Sequence, residues 1–203
     1  MKASILARSF AIGVLLVATT RFASANLITN GDFETGDFTG WTVTQAPPPD
    51  SLIFVSNGLG PDTTFGAFFG AFGTDFDSIS QTFATIPGAS YTLSFFYQIN
   101  NTESQANNYF NVLWNGLSIG GGLFPQSDVN PGYGTFTFTE QATGTSTTLE
   151  FDGRNLPSTD FLDDVSVQRV QQVPDAGSSA LLLGLAMAGL VLIGRTISRS
   201  VAH

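Results

Sequence analysis

Along the middle of the chain, apolar side chains return at every second position. Tyr91, Leu93, Phe95, Tyr97 and Ile99 alternate with Thr92, Ser94, Phe96 and Gln98. This is the period of a strand that buries one face. Phe110, Val112 and Trp114 repeat it, as do Phe136 and Phe138, then Thr147, Leu149 and Phe151, then Val165 and Val167. Turn chemistry separates the runs: Asn30-Gly31, Pro47-Pro48-Pro49-Asp50, Asn57-Gly58, Pro87-Gly88, Asn115-Gly116, Asn130-Pro131-Gly132 and Asp152-Gly153. No amphipathic helix interrupts them. The pattern predicts an all-β fold, a jelly-roll β-sandwich over residues 26–170, with a polar loop at 101–108. Gly120-Gly121-Gly122 reads as a flexible connection, because neither a helix nor a Lys follows it as a phosphate loop requires.

The two ends obey a different pattern. From Gly177 to Gly194 no residue is charged, and Leu181, Leu182, Leu183, Leu185, Leu190, Val191, Leu192 and Ile193 dominate. Such a run spans about 27 Å as a helix, close to a hydrocarbon core. It predicts one transmembrane helix at 180–194, followed by a basic cytoplasmic tail at 195–203 in which Arg195 and Arg199 hold the inner side. A buried core helix is the competing reading; a segment apolar on every face argues against it. Ala180, Gly184 and Ala188 have the spacing of a helix-pairing face, and equally of ordinary membrane helices. At the other end, Lys2 and Arg8 precede the apolar stretch Phe10–Ala18 and the small-residue site Ala23-Ser24-Ala25. Residues 1–25 therefore read as a secretory signal peptide. Residues 171–179 form a linker between the sandwich and the span, and residues 26–172 are expected outside the inner membrane.

Composition sharpens this picture. Only Arg154 and Arg169 carry positive charge in the middle, against fifteen of the sixteen acidic residues, a net charge of −13. A surface so short of Lys and Arg excludes nucleic acid as a partner. It suits calcium and neutral polymers. There is no Cys, so no disulfide framework, thiolate metal site or Cys nucleophile is possible. The single His is His203, which leaves the exported part without a Ser-His-Asp triad or a His-ligated zinc. Nineteen Phe supply the core instead.

The C-terminal arrangement resembles the PEP-CTERM sorting signals, in the variant whose motif reads Val-Pro-Asp-Ser-Gly. Here the motif is Val173-Pro174-Asp175-Ala176-Gly177, with Ala176 in place of Ser, followed by the span and Arg195. The resemblance implies recognition by an exosortase, a membrane protease or transpeptidase. It makes Val173, Pro174, Asp175, Gly177 and Arg195 the sorting residues. The chain would first be anchored in the inner membrane, then delivered to the cell surface or the exopolysaccharide matrix.

Two further segments carry a second resemblance. Asn26-Leu27-Ile28-Thr29-Asn30-Gly31-Asp32-Phe33-Glu34 with Gly40-Trp41 is similar to the opening of galactose-binding-like jelly rolls, which include the family 4/9 carbohydrate-binding modules. Phe161-Leu162-Asp163-Asp164-Val165-Ser166-Val167 resembles their closing strand. Ile79–Phe83 and Pro87–Phe95 fit the same pattern between them. The resemblance implies that the first and last strands lie side by side. It also implies a structural calcium, with Glu34 and Asp163 as ligands. Calcium takes six to eight hard oxygens, and Asp32, Asp75 or Asp77 are further donors. Strict alternation would point Asp163 to the core with Val165 and Val167. Against calcium stands a reading in which Asp32 makes an Asx turn, Glu34 is solvated and Asp163 bonds backbone amides.

A polysaccharide site needs an aromatic platform flanked by amides or carboxylates. Trp41 and Trp114 sit within apolar periodicity and read as core. Tyr97, Asn100 and Tyr109, with Gln98, form the candidate ligand-binding cluster; Tyr133 is a further platform. Glu103, Glu140 and Glu150 are the acids a glycosidase would use, but none falls in a Glu-x-Asp-x-x-Glu arrangement, so solvated surface acids explain them better. The sequence thus predicts an exported, non-catalytic surface or matrix protein with carbohydrate-binding capacity. The alternative is a purely structural matrix or adhesion protein, and a glycoside hydrolase ranks below both.

Overall fold

A computed structural model of the chain describes residues 25–57, 64–100, 108–119, 133–155 and 158–171, together with Gly184. Ten strands follow one another: β1 (Thr42–Thr44), β2 (Ile53–Asn57), β3 (Phe65–Phe69), β4 (Asp77–Ala84), β5 (Ser90–Asn100), β6 (Tyr109–Trp114), β7 (Leu117–Ser118), β8 (Tyr133–Gln141), β9 (Ser146–Arg154) and β10 (Thr159–Arg169). They pair into two antiparallel five-stranded sheets, β1-β4-β9-β6-β7 and β2-β3-β10-β5-β8. All five alternating runs are strands.

The rings from the two inner faces interlock, which makes the pair of sheets a β-sandwich. Tyr97 of β5 stacks on Phe110 of β6 at 4.1 Å between centroids. Phe95 of β5 meets Phe151 of β9 edge-on at 5.2 Å, and Phe69 of β3 meets Phe110 at 5.9 Å. Each such ring removed from water contributes about 1.5–3 kcal/mol, so a chain without disulfides has an adequate core. Trp41 and Trp114 are buried as expected, and each indole N–H finds a carbonyl, that of Asn30 and that of Gln141.

Two turn signals have different fates. Asn115-Gly116 joins β6 to β7 with φ of 51° and 75°, the left-handed pair that a two-residue hairpin of type I′ requires. Asp152-Gly153, expected to be a turn, lies instead within β9. Its glycine serves packing: a Cβ on Gly153 would lie 2.6 Å from the Cβ of Phe69 in the opposite sheet.

The opening segment lies beside β10, the arrangement the resemblance implies. Leu27 N–H donates to the Val167 carbonyl at 2.9 Å, and Val165 N–H to the Gly31 carbonyl at 2.8 Å. The Asn26 amide closes the seam, accepting from Val167 N–H and donating to the Val165 carbonyl. Next to this seam β10 carries a bulge. Asp163 pairs with Phe96 but Ser166 pairs with Ser94, so three steps on β10 match two on β5; Asp164 takes φ 53°. The bulge reverses the alternation. Val165 and Val167 face the core, whereas Asp163 shares the outer face with Phe161 and Phe96. Strict alternation placed Asp163 on the wrong side because it cannot register an inserted residue. On that outer face Phe161, Phe68 and Phe96 form a second small apolar cluster, and Phe54 stacks on Phe68 at 5.0 Å.

Among the described residues no helix is long and apolar enough to cross a membrane. The expected signal peptide apart from Ala25, the sorting motif at Val173–Gly177, the basic tail and all of the expected span but Gly184 lie outside the described residues. So do Gly120–Gly122 and Glu103.

Candidate functional site

The antiparallel register of the first sheet builds a polar face from residues far apart in the sequence. On its outer side Thr44 pairs with Ser78, Ser78 with Asp152, and Asp152 with Asn111. The row beside it runs Thr42, Ser80, Glu150, Leu113 and Ser118. At one end Tyr109 pairs with Arg154.

Hydrogen bonds fix these groups in place. Ser78 Oγ donates to Asp152 Oδ1 at 2.8 Å, and Ser118 Oγ donates to Asn111 Oδ1 at 2.9 Å. Arg154 is held by the Thr74 carbonyl and lies with its Cζ 5.7 Å from the Tyr109 ring centre. Phe76, just before β4, stacks on Tyr109 at 5.3 Å with 21° between the planes and stays 40% exposed. The site therefore offers an aromatic rim, exposed at Phe76 and half-buried at Tyr109, beside the half-buried Arg154 guanidinium, while the hydrogen-bonded Ser78, Asn111 and Asp152 behind it are buried.

Asp152 is the electrostatic centre. It is only 4% exposed, and burial pushes its carboxyl up to about 6. Hydrogen bonds from Ser78 and Asn111 oppose the shift, while the neighbouring Glu150 adds to it. Burial first, then the charge of Asp152, raises the Tyr109 hydroxyl above its ordinary value.

The expected cluster of Tyr97, Asn100 and Tyr109 is not one site. Tyr109 stands on the outer face of the first sheet. Tyr97 lies in the core of the second, 2% exposed, because its place in the alternation is that of Leu93 and Phe95. Asn100 ends β5 opposite Thr159. In the core, Tyr97 meets Asp160, a fully buried carboxyl. Asn155 Nδ2 donates to Asp160 Oδ1 at 2.7 Å, and among the described residues Oδ2 receives no donor. Burial pushes this carboxyl up to about 7, against the hydrogen bonds of Tyr97 and Asn155. Burial, followed by the charge of Asp160, holds the Tyr97 hydroxyl well above its usual range. Asp77 solves the same problem differently: Oδ1 accepts from Ala46 N–H and Oδ2 from Leu52 N–H, both at 2.9 Å.

The expected metal residues Glu34 and Asp163 each make their own backbone contact. Glu34 Oε1 accepts from Phe65 N–H at 2.9 Å. The pairing of β10 with β3 runs as far as Leu162↔Ala67, one residue short of Asp163. Asp163 is 1% exposed and its Oδ1 accepts from Asp164 N–H. These are hard oxygen donors of the type calcium takes. Among the described residues no group of three or more His, Cys, Asp or Glu is placed to hold a metal.

Sequence reasoning missed Phe76, Asn111, Asp152 and Arg154. No local signal marks them; the pairing of β6 with β9 brings Asn111, Asp152 and Arg154 together, and Phe76 reaches Tyr109 from just before β4.

No protein-family model and no curated protein matches the sequence. Solved structures do match. The enzymatically active domain of tailspike protein 4 from bacteriophage CBA120 aligns at 13% identity and a TM-score of 0.54, over 71% of this chain and 21% of the tailspike chain. This chain thus spans a minor part of that protein. The K1 cleaved adhesin domain of Lys-gingipain from Porphyromonas gingivalis W83 aligns at 13% identity and a TM-score of 0.51, over 69% of this chain and 96% of the adhesin domain. The CBM22-1 xylan-binding domain from Paenibacillus barcinonensis aligns at 13% identity and a TM-score of 0.49, over 76% of this chain and all of that domain (100%). At these identities the likeness is one of fold.

Proposed function

We propose that this chain is an exported, non-catalytic surface or exopolysaccharide-matrix protein whose sandwich binds a neutral polysaccharide on the outer face of the first sheet. The exposed Phe76 ring, stacked on Tyr109 at the rim of the Asp152–Asn111 row, carries this reading. A sugar ring presents an apolar face edged by hydroxyl groups. An aromatic surface takes the face, and polar groups that reach the surface, here the half-buried Arg154 and Glu150, take the edge. The net charge of −13 over residues 26–170 disfavours acidic polymers. Export, sorting by an exosortase-type system through Val173, Pro174, Asp175, Gly177 and Arg195, and passage through the inner membrane rest on the sequence of the two ends. A structural calcium between Glu34 and Asp163 belongs to the same proposal.

Affinity electrophoresis against a panel of neutral polysaccharides, including the exopolysaccharide of the host, tests the binding reading. Retardation by one polymer is expected. Tyr109→Ala and Phe76→Ala should abolish it while leaving the melting temperature within a few degrees. Retardation by no polymer would favour the purely structural matrix role. One observation supports hydrolysis as a second reading, the Asp152 carboxyl pushed up to about 6 beside Glu150. Release of reducing sugar that is lost in Asp152→Asn would establish it.

A further inference from the structure

The strand β8 (Tyr133–Gln141) forms an edge of the second sheet, and among the described residues its only strand partner is β5. Sheet edges of this kind are ordinarily blunted by Pro, Lys, a bulge or short length. β8 has none of these four devices; its one charge is Glu140, on the side of Phe136 and Phe138. It is nine residues long, holds neither Pro nor Lys, and pairs with β5 from Ser90↔Gln141 to Gln98↔Tyr133 without a shift of register.

Its sequence is also symmetric about Thr137. Thr135-Phe136-Thr137-Phe138-Thr139 reads the same in both directions. We infer that β8 is a homodimerisation edge, where two copies of this chain pair antiparallel about Thr137 and join their second sheets into one of ten strands. In this register all nine residues are paired. Thr135 lies opposite Thr139 of the other copy, Phe136 opposite Phe138, and Thr137 opposite itself. A register centred on any other residue leaves part of the strand unpaired.

The side chains suit the register. Thr135, Thr137 and Thr139 are exposed on the outer face and would form a ladder of Thr pairs, a favourable cross-strand combination. Phe136 and Phe138 point inward and stack on Phe95 at 5.8 and 6.0 Å while remaining half-buried. The single charge, Glu140, meets Gly134 of the other copy, so no like charges are opposed.

The absence of Cys permits a position-specific test on the full chain in detergent. A disulfide needs Cα atoms within about 7 Å. Under mild oxidation Thr137→Cys should give a covalent dimer on a non-reducing gel. Thr135→Cys or Thr139→Cys alone should not, because like residues there stand about 14 Å apart, four strand residues along. The double variant Thr135→Cys/Thr139→Cys should cross-link again. Adding Thr137→Lys to that double variant sets two ammonium groups against each other and should remove the cross-link, with the melting temperature retained. A Thr137→Cys chain that stays monomeric overturns the proposal. So does a Thr139→Cys chain that cross-links equally well, which would mark random collision or contact through another segment.

Discussion

The buried carboxyl of Asp160 should make this fold less stable as pH rises through neutrality. In the folded chain the group titrates at about 7, against 3.8 in the open chain, because burial penalises its charge. Between these values the folded state holds a proton that the unfolded state has released. Stability is therefore full below the unfolded value, falls as pH rises, and levels off above about 7. From pH 5 to pH 8 the loss spans about two units at 1.36 kcal/mol each, roughly 3 kcal/mol. For a domain of this size that corresponds to roughly 6–12 °C in melting temperature. Asp152, pushed up to about 6, acts in the same direction over the lower part of the window. Asp160→Asn keeps the shape and removes the charge. Thermal unfolding of the purified protein, in buffers of equal ionic strength across this range, should show the native slope and a much flatter one for the variant. The variant should also be the more stable of the two at pH 8. A native melting temperature that is level from pH 5 to pH 8, or an Asp160→Asn protein that keeps the full slope, would refute the reasoning.

Other consequences follow from the same packing. Asp77→Ala strands the buried N–H groups of Ala46 and Leu52; the expected cost is about 2–5 kcal/mol, read from urea unfolding. Gly31→Ala should fail to fold, or lose more than about 3 kcal/mol, because its Cβ would lie 2.0 Å from the Val165 carbonyl oxygen; soluble yield and circular dichroism report it. Removing calcium with a chelator should lower the melting temperature of the native protein and leave that of a Glu34→Gln/Asp163→Asn variant unchanged. Substituting Pro174 and Asp175 by Ala should leave the protein in the inner-membrane fraction, as seen on blots of fractionated cells.

What could be read from the sequence was whatever depends on neighbours along the chain. Period-two alternation located β5, β6, β8, β9 and β10 and the burial of Trp41 and Trp114. The left-handed Asn115-Gly116 turn was equally legible. The short strands were not. Phe65-Gly66-Ala67-Phe68-Phe69 lacks alternation because both of its faces carry rings, one set in the core and one beside Phe161. The bulge at Asp163–Ser166 was invisible for a related reason: an extra residue changes the parity of everything before it, and alternation has no way to record it. Gly153 misled because glycine serves close approach as well as turning. The candidate site was legible only at Tyr109. Its partners Asn111, Asp152 and Arg154 are joined by register, a relation between strands, and Phe76 reaches Tyr109 from just before β4. Tyr97 was misassigned because a tyrosine beside amides looks the same on paper whether it faces water or Asp160.

The position of β10 also has a mechanical consequence. This strand is not at an edge; it lies between β3 and β5 and is stitched along its far half to the opening segment. A tension applied through the C-terminal end, with the domain held by a ligand on the first sheet, draws β10 along its own axis. Its two ladders then resist together, in shear. The same tension applied between Asn26 and the end of β10, which lie side by side, would instead open the seam one bond at a time. The fold is thus a strong tether in one loading direction and a weak one in the other.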